Sequence, residues 1–340
     1  MWSLLLTLAA LTSDDLPLSP KVITEPVSKD ADDPAVWIHP SEADKSLILG
    51  TDKVAQEGGL FVFNLEGKVV QRIQGLDRPN NVDVDYGFSL DGKTVDIAVV
   101  TERHKKRLKI YAIDRSSGQL SDVSGETGVF LDRDDENAVP MGIGIYRRPM
   151  DGAFFAVVSP KGGPKDGYLG VFELIAKDGK IDTKPVGSFG RFSGEGEIEA
   201  ICVDDELGFV YFSDEGAGLR KAVIDPASPA FGQELAIFGT EGYQGDREGL
   251  AIYDSTHGRG WLLSSDQIQG GSRLFVYDRL GANTKVTVVP TVADSTDGIE
   301  VVARPMGEKF PEGFVVMMNS KDQNFMLFDW RDVRRAFPGF

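Results

Sequence analysis

Cysteine, histidine and positive charge are all in short supply in this 340-residue chain, and each shortage removes a class of function. Cys202 is the only cysteine, so there is no disulfide framework, and its place in an apolar strand reads as a buried structural thiol. The three histidines, His39, His104 and His257, lie on different segments without ligand spacing, which argues against zinc and against a Ser-His-Asp or Cys-His catalytic group. Lysine plus arginine total 36 against 53 for aspartate plus glutamate; a formal charge of -17 argues against nucleic acid and anionic membranes as partners. Long apolar runs are missing too. The one from Leu4 to Leu11 is too short to span a bilayer and resembles the apolar part of a secretory signal, although it lacks a basic flank. Residues 1–20 are therefore read as a signal-like or disordered N-terminus, and the protein as secreted or periplasmic.

Sustained helical periodicity is also absent, while 39 glycines and 17 prolines punctuate the chain at turns such as Asp91-Gly92, Asp178-Gly179 and Glu66-Gly67. The chain is all-β. Six short apolar strands open on Asp33-Pro34-Ala35-Val36, Asn81-Val82-Asp83-Val84, Met141-Gly142-Ile143-Gly144, Glu199-Ala200-Ile201-Cys202, Glu248-Gly249-Leu250-Ala251 and Asp297-Gly298-Ile299-Glu300, at separations of 48, 60, 58, 49 and 49 residues. Two further strands follow each opening, as Leu47-Ile48-Leu49 and Leu60-Phe61-Val62-Phe63 follow the first. This period predicts a six-bladed β-propeller with four-stranded antiparallel blades, residues 21–340 forming one domain. Lys68 to Ile73 fits the fourth strand of the first blade, and Lys21 to Thr24 is placed as the outer strand that closes the last. The third strands are expected to alternate more than the second because they lie further out.

Five of the six openings carry oxygen ligands, so side chains from distant segments should converge on the channel. Like charges crowded into a partly desolvated mouth repel unless a cation sits among them or protons are taken up. Hard oxygen donors without thiolate or imidazole point to calcium or magnesium, and loosely spaced carboxylates favour several Ca2+ ions. Lys53, Arg103 and Lys161 each follow a second strand and reach the same face, where they suit a polyanion. Asp132 to Glu136 lacks the glycine and closing glutamate of a calcium loop, and Lys161 to Lys165 lacks the order of a P-loop.

The stretches Asp30-Ala31-Asp32-Asp33-Pro34-Ala35-Val36-Trp37, Asn80-Asn81-Val82-Asp83-Val84, Glu248-Gly249-Leu250-Ala251-Ile252-Tyr253 and Asp297-Gly298-Ile299-Glu300-Val301 together resemble the β-propeller phytases. The likeness runs in order from about Glu25 to Trp330. It implies calcium-dependent hydrolysis of phosphate from myo-inositol hexakisphosphate, an inositol phosphate, by attack of an activated water without a covalent intermediate. Carried over by position, Asp32, Asp33, Glu199, Asp214, Glu215, Asp246, Glu248, Gln267 and Asp297 fall on metal or site positions, with Glu199 and Glu248 holding a bridging calcium. Lys53, Arg103 and Lys161 fall where the family grips phosphate. A monomer without a transmembrane segment is expected.

The departures from the pattern are Met141 in place of a phosphate-binding tyrosine, Gly162 in place of an acid, Met318-Asn319 in place of Gln-Asp, and Arg247 where an apolar residue is common. Arg247 is read as a substitute for part of a metal's charge or for the tyrosine's grip on phosphate. A weakened or inactive calcium-binding propeller acting as a binding module is the alternative function, and a calcium-dependent lactonase or esterase, which would not need the three basic residues, a third.

Overall fold

Six antiparallel sheets of four strands make up the computed structural model, which describes residues 16–133 and 135–338. The leader-like run ending at Leu11 and Asp134 of the acidic loop lie outside the described residues. Blade 1 comprises β2 (Ala31–Trp37), β3 (Leu47–Asp52), β4 (Gly58–Asn64) and β5 (Val69–Leu76), and blade 2 β6 (Pro79–Leu90), β7 (Lys93–Glu102), β8 (Arg107–Ile113) and β9 (Leu120–Asp122). Blade 3 holds β10 (Pro140–Arg147), β11 (Phe154–Pro160), β12 (Asp166–Lys177) and β13 (Lys180–Arg191); blade 4 holds β14 (Ile201–Asp204), β15 (Phe209–Asp214), β16 (Gly218–Val223) and β17 (Glu234–Phe238). Blade 5 holds β18 (Leu250–Asp254), β19 (Gly260–Asp266), β20 (Arg273–Asp278) and β21 (Lys285–Pro290). In blade 6, β22 (Ile299–Val302), β23 (Phe314–Asn319) and β24 (Asn324–Asp329) are joined by β1 (Val22–Ile23), so the N-terminal segment supplies the outermost strand as expected. Each innermost strand contacts the next, from β2 through β22 and back to β2, which closes the ring and protects the sheet edges at its seam.

The second strands are buried along nearly their whole length, since neighbouring blades cover both faces; Leu49, Val99, Val157, Phe212, Leu263 and Val316 have no exposure. The third strands are buried almost as completely, contrary to the expected alternation. A fourth strand still shields them laterally, and the exposed-buried alternation moves outward to strands such as β5 and β17. Asp91-Gly92 and Asp178-Gly179 turn two of the hairpins with both residues at positive φ, the geometry that two-residue hairpin turns require.

The first and last described segments act as ties. Leu18 exchanges backbone bonds with the outer strand of blade 5, Lys21 and Thr24 bond to β24, and the Glu25 carboxylate accepts from Val69 N–H in blade 1. At the other end, the short helix α1 (Trp330–Arg334) lays Trp330 against Tyr253, ring centroids 3.7 Å apart, over blade 5.

Candidate active site at the channel mouth

Near the start of each innermost strand, one residue is bonded to a hydroxyl or backbone group near the end of the adjacent second strand. Thr51 Oγ1 accepts from Asp33 N–H, Thr101 Oγ1 from Asn81 N–H and Ser159 Oγ from Gly142 N–H; in blades 4, 5 and 6 the carbonyls of Ala200, Gly249 and Gly298 accept from the second strand. These bonds align Asp33, Asn81, Gly142, Ala200, Gly249 and Gly298, so the residue before each occupies the rim: Asp32, Asn80, Met141, Glu199, Glu248 and Asp297. The first two openings therefore begin one residue earlier than the sequence pattern suggests. Register shifts at Ala31/Pro34, Pro79/Val82 and Pro140/Ile143 add a bulged residue in blades 1 to 3, which a count of apolar positions does not detect. The small residues inside the rim admit the neighbouring blade. A Cβ on Gly142 would lie 1.8 Å from the Glu199 carbonyl oxygen, and one on Gly298 would lie 2.0 Å from Asp33 Oδ1.

Around this rim the side chains form two bonded groups, coupled electrostatically through Glu199 and Glu248. Lys53 Nζ lies against Asp32 Oδ1, 3.8 Å from Asp297 Oδ2 and 3.9 Å from Glu199 Oε1. Asn80 donates to Glu199 and accepts from Arg103 Nη1 at 2.9 Å, while Gln267 donates to Asp297. Lys161 pairs with Glu197, whose N–H donates to Glu215 Oε2 at 2.8 Å. Oxygens of Glu215, Asp246 and Glu248, drawn from blades 4 and 5, lie within 4.8 Å of one another. The three basic residues from blades 1 to 3 thus join the carboxylates of blades 4 to 6 and Asp32 at one mouth.

Burial dominates the electrostatics. It pushes Asp32 up to about 7, Glu199 to about 7, Glu215 to about 8 and Asp297 to about 6, and Glu248 well above the ordinary range. Neighbouring carboxylates add to every one of these rises, and Lys53 opposes them at Asp32, Glu199, Glu248 and Asp297. Burial likewise lowers the Arg103 guanidinium, and its Nε has no partner.

Not every residue selected from sequence points at this cluster. Asp33 stitches blades together, accepting from Val82 N–H at 2.9 Å. Asp214, expected at a metal or site position, is fully buried and engaged by Ser193 and by Arg220 Nε at 3.0 Å. It belongs to a repeated latch in which the last residue of a second strand grips the loop entering its own blade. Asp52 accepts from Ser28, Lys29 and Asp30 N–H, Glu102 from Asp77, Asp266 from Gln244 and Gly245, and Asn319 from Asp294. Third-strand arginines complete three latches: Arg107 on Glu102, Arg220 on Asp214 and Arg273 on Asp266. Asn319 keeps the latch without charge by donating to Asn324 Oδ1 at 2.9 Å, and Met318 is core. Met141 is 1 % exposed and holds the rim position through its carbonyl, which accepts from Thr101 Oγ1. Gly162 gives its N–H to Asn137. Arg247 commits Nε to Gly239 O and Nη1 to Glu215 O, with its guanidinium 4.3 Å from the Tyr243 ring centroid. Sequence reasoning missed Asn80 and Glu197 as members of these groups; the correct register would have put Asn80 on the rim, whereas nothing local marks Glu197.

The donor set fits a hard divalent cation. Its ligands are oxygens, Glu248 Oε2 is buried without a partner, and neither Asp32 oxygen accepts an aligned hydrogen bond although Lys53 touches one. The six-bladed propeller thus sets carboxylates with the donor chemistry for a hard cation among lysine and arginine at one channel mouth. The profile of the family described as Phytase matches residues 2–338, and the chain is 30% identical over 331 residues to a 3-phytase of Bacillus subtilis (strain 168), covering 91% of this chain and 82% of that one. The chain belongs to the phytase family and is a phosphoric monoester hydrolase.

Proposed function

We propose that this mouth releases phosphate from myo-inositol hexakisphosphate with the help of calcium. The observation that carries the reading is the meeting of two groups at one mouth: Lys53 and Arg103 with Asp32, Glu199 and Asp297, and Lys161 with Glu197, Glu215, Asp246 and Glu248, the two coupled by the mutual repulsion of Glu199 and Glu248. Glu215, Asp246 and Glu248 would hold one ion, with Asp32, Glu199, Gln267 and Asp297 available to others. Bound calcium supplies positive charge that neutralises phosphate oxygens and makes a water more acidic. Arg103, already bonded to Asn80, presents a planar guanidinium to one phosphate, and Lys53 and Lys161 act as point charges on its neighbours. The 16 % exposure of the Lys53 side chain keeps that charge weakly screened. Asn80 and Gln267 orient Glu199 and Asp297 through hydrogen bonds, so that the carboxylates stay aimed at the mouth.

Residues 21–340 act in this reading as one cooperative, monomeric unit, exported by the leader-like N-terminus. None of the described helices is long and apolar enough to cross a membrane. The test is phosphate release from calcium phytate by purified protein, before and after chelation. Release that stops with chelator and returns with calcium supports the proposal. Release unaffected by thorough chelation, or none under any metal condition, removes it.

A further inference from the structure

Arg247 stands between two carboxylates of the acidic cluster, yet its side chain leaves the mouth for the seam between blades 4 and 5. It is 9 % exposed. Nε donates to Gly239 O at 2.9 Å and Nη1 to Glu215 O at 3.0 Å, while the plane of the guanidinium rests on Tyr243. Tyr243 is itself stacked on Phe275 of blade 5, with centroids 3.9 Å apart. One rigid side chain therefore fastens the turn carrying Glu215 to the segment carrying Asp246 and Glu248. From the other side the same turn is held by Glu197, whose carbonyl accepts from Glu215 N–H at 3.2 Å and whose N–H donates to Glu215 Oε2. An apolar residue at position 247 can fill the seam but cannot bond two carbonyls.

We infer that Arg247 is a positioning residue for cation binding: it clamps blade 4 to blade 5 so that Glu215 meets Asp246 and Glu248, and it grips no phosphate. The inference rests on the proposed use of that cluster as a metal site. Groups that orient metal ligands without touching the ion commonly change affinity by about ten- to hundredfold when removed.

Calorimetric titration of chelator-stripped protein with calcium alone tests this, using Arg247→Met, Arg247→Lys and Asp246→Asn, the last to identify the binding event that belongs to the cluster. Arg247→Met is expected to weaken that event by about ten- to hundredfold and leave the affinity for inorganic phosphate, measured at saturating calcium, unchanged. Arg247→Lys keeps the charge but cannot fork onto both carbonyls or stack as a plane, so it should lose most of the same affinity; it carries the test if the methionine variant does not fold. Wild-type calcium affinity in these variants, or tighter binding through loss of a repelling charge, overturns the inference. So does a fall in phosphate affinity with calcium binding intact. Wild-type protein that binds calcium here but releases no phosphate from phytate would sink the function proposed above and leave the clamp standing.

Discussion

Replacing Lys53 by methionine in metal-free protein should cost a great deal of stability at alkaline pH and almost none at pH 5. The Lys53 ammonium touches Asp32 and lies within 4 Å of Glu199 and Asp297, in a pocket where the Asp32 side chain is 1 % exposed. Stripping one partner from a buried pair strands the other charge and costs about 3–5 kcal/mol. For a chain of this size that is roughly 4–7 °C in Tm. The sign of the pH effect follows from the three carboxyls. Asp32 and Glu199 titrate at about 7 and Asp297 at about 6, all above their unfolded values, so the native protein takes up protons as pH falls through 8 to 5. Once they are neutral, the buried ammonium has no anion to answer, and its removal becomes neutral or favourable. Melting curves of wild type and Lys53→Met in chelator, at pH 8.5 and pH 5, check this directly. An equal loss at both pH values would refute the counter-charge reasoning and leave only packing. Lys53→Met combined with Asp32→Asn should recover part of the alkaline loss, since both ends of the pair are then gone.

Gly142→Ala drives a methyl into the Glu199 carbonyl, so activity should fall more than tenfold and Tm should drop, because backbone has to move; assay and melting curve read both. Arg273→Met leaves the fully buried Asp266 with only backbone donors and should cost about 3–5 kcal/mol by urea unfolding. Met141→Tyr places a hydroxyl on the rim and should lower the KM for phytate; an unchanged KM would show that the apolar side chain is not what limits substrate binding. Deeper in the channel, burial raises Asp205 to about 7, so this carboxyl makes the protein more stable as pH falls from 7 towards 4, by up to about 1.4 kcal/mol per pH unit. Asp205→Asn should flatten that part of a urea-measured pH profile.

The blades were legible because burial on two faces leaves a plain mark: second strands such as Phe154-Phe155-Ala156-Val157-Val158 have no solvent side, and few other all-β layouts repeat such runs six times. The site was legible in composition but not in register. Asp32 and Asp33 look alike as letters, yet a bulge sends the first to the rim and the second to the N–H of Val82. Asp214 shows the other limit. An acid at a strand end can be a ligand or a latch, and the choice depends on Arg220, six residues on and across the sheet. Arg247 was conspicuous as a charge, but its direction came from Tyr243 and from two carbonyls that no local pattern reveals.

The pairing of Val22 with Leu327 has a consequence for biogenesis. A nascent chain leaving the ribosome holds its first outer strand without a partner until about three hundred more residues emerge, roughly 15–60 s at ordinary elongation rates. Until then the unfinished sheet is a template open to any passing strand. Asp32 and Asp297 lie far apart along the polypeptide and meet where the first and last blades touch, so a fragment released before blade 6 emerges lacks one side of the mouth.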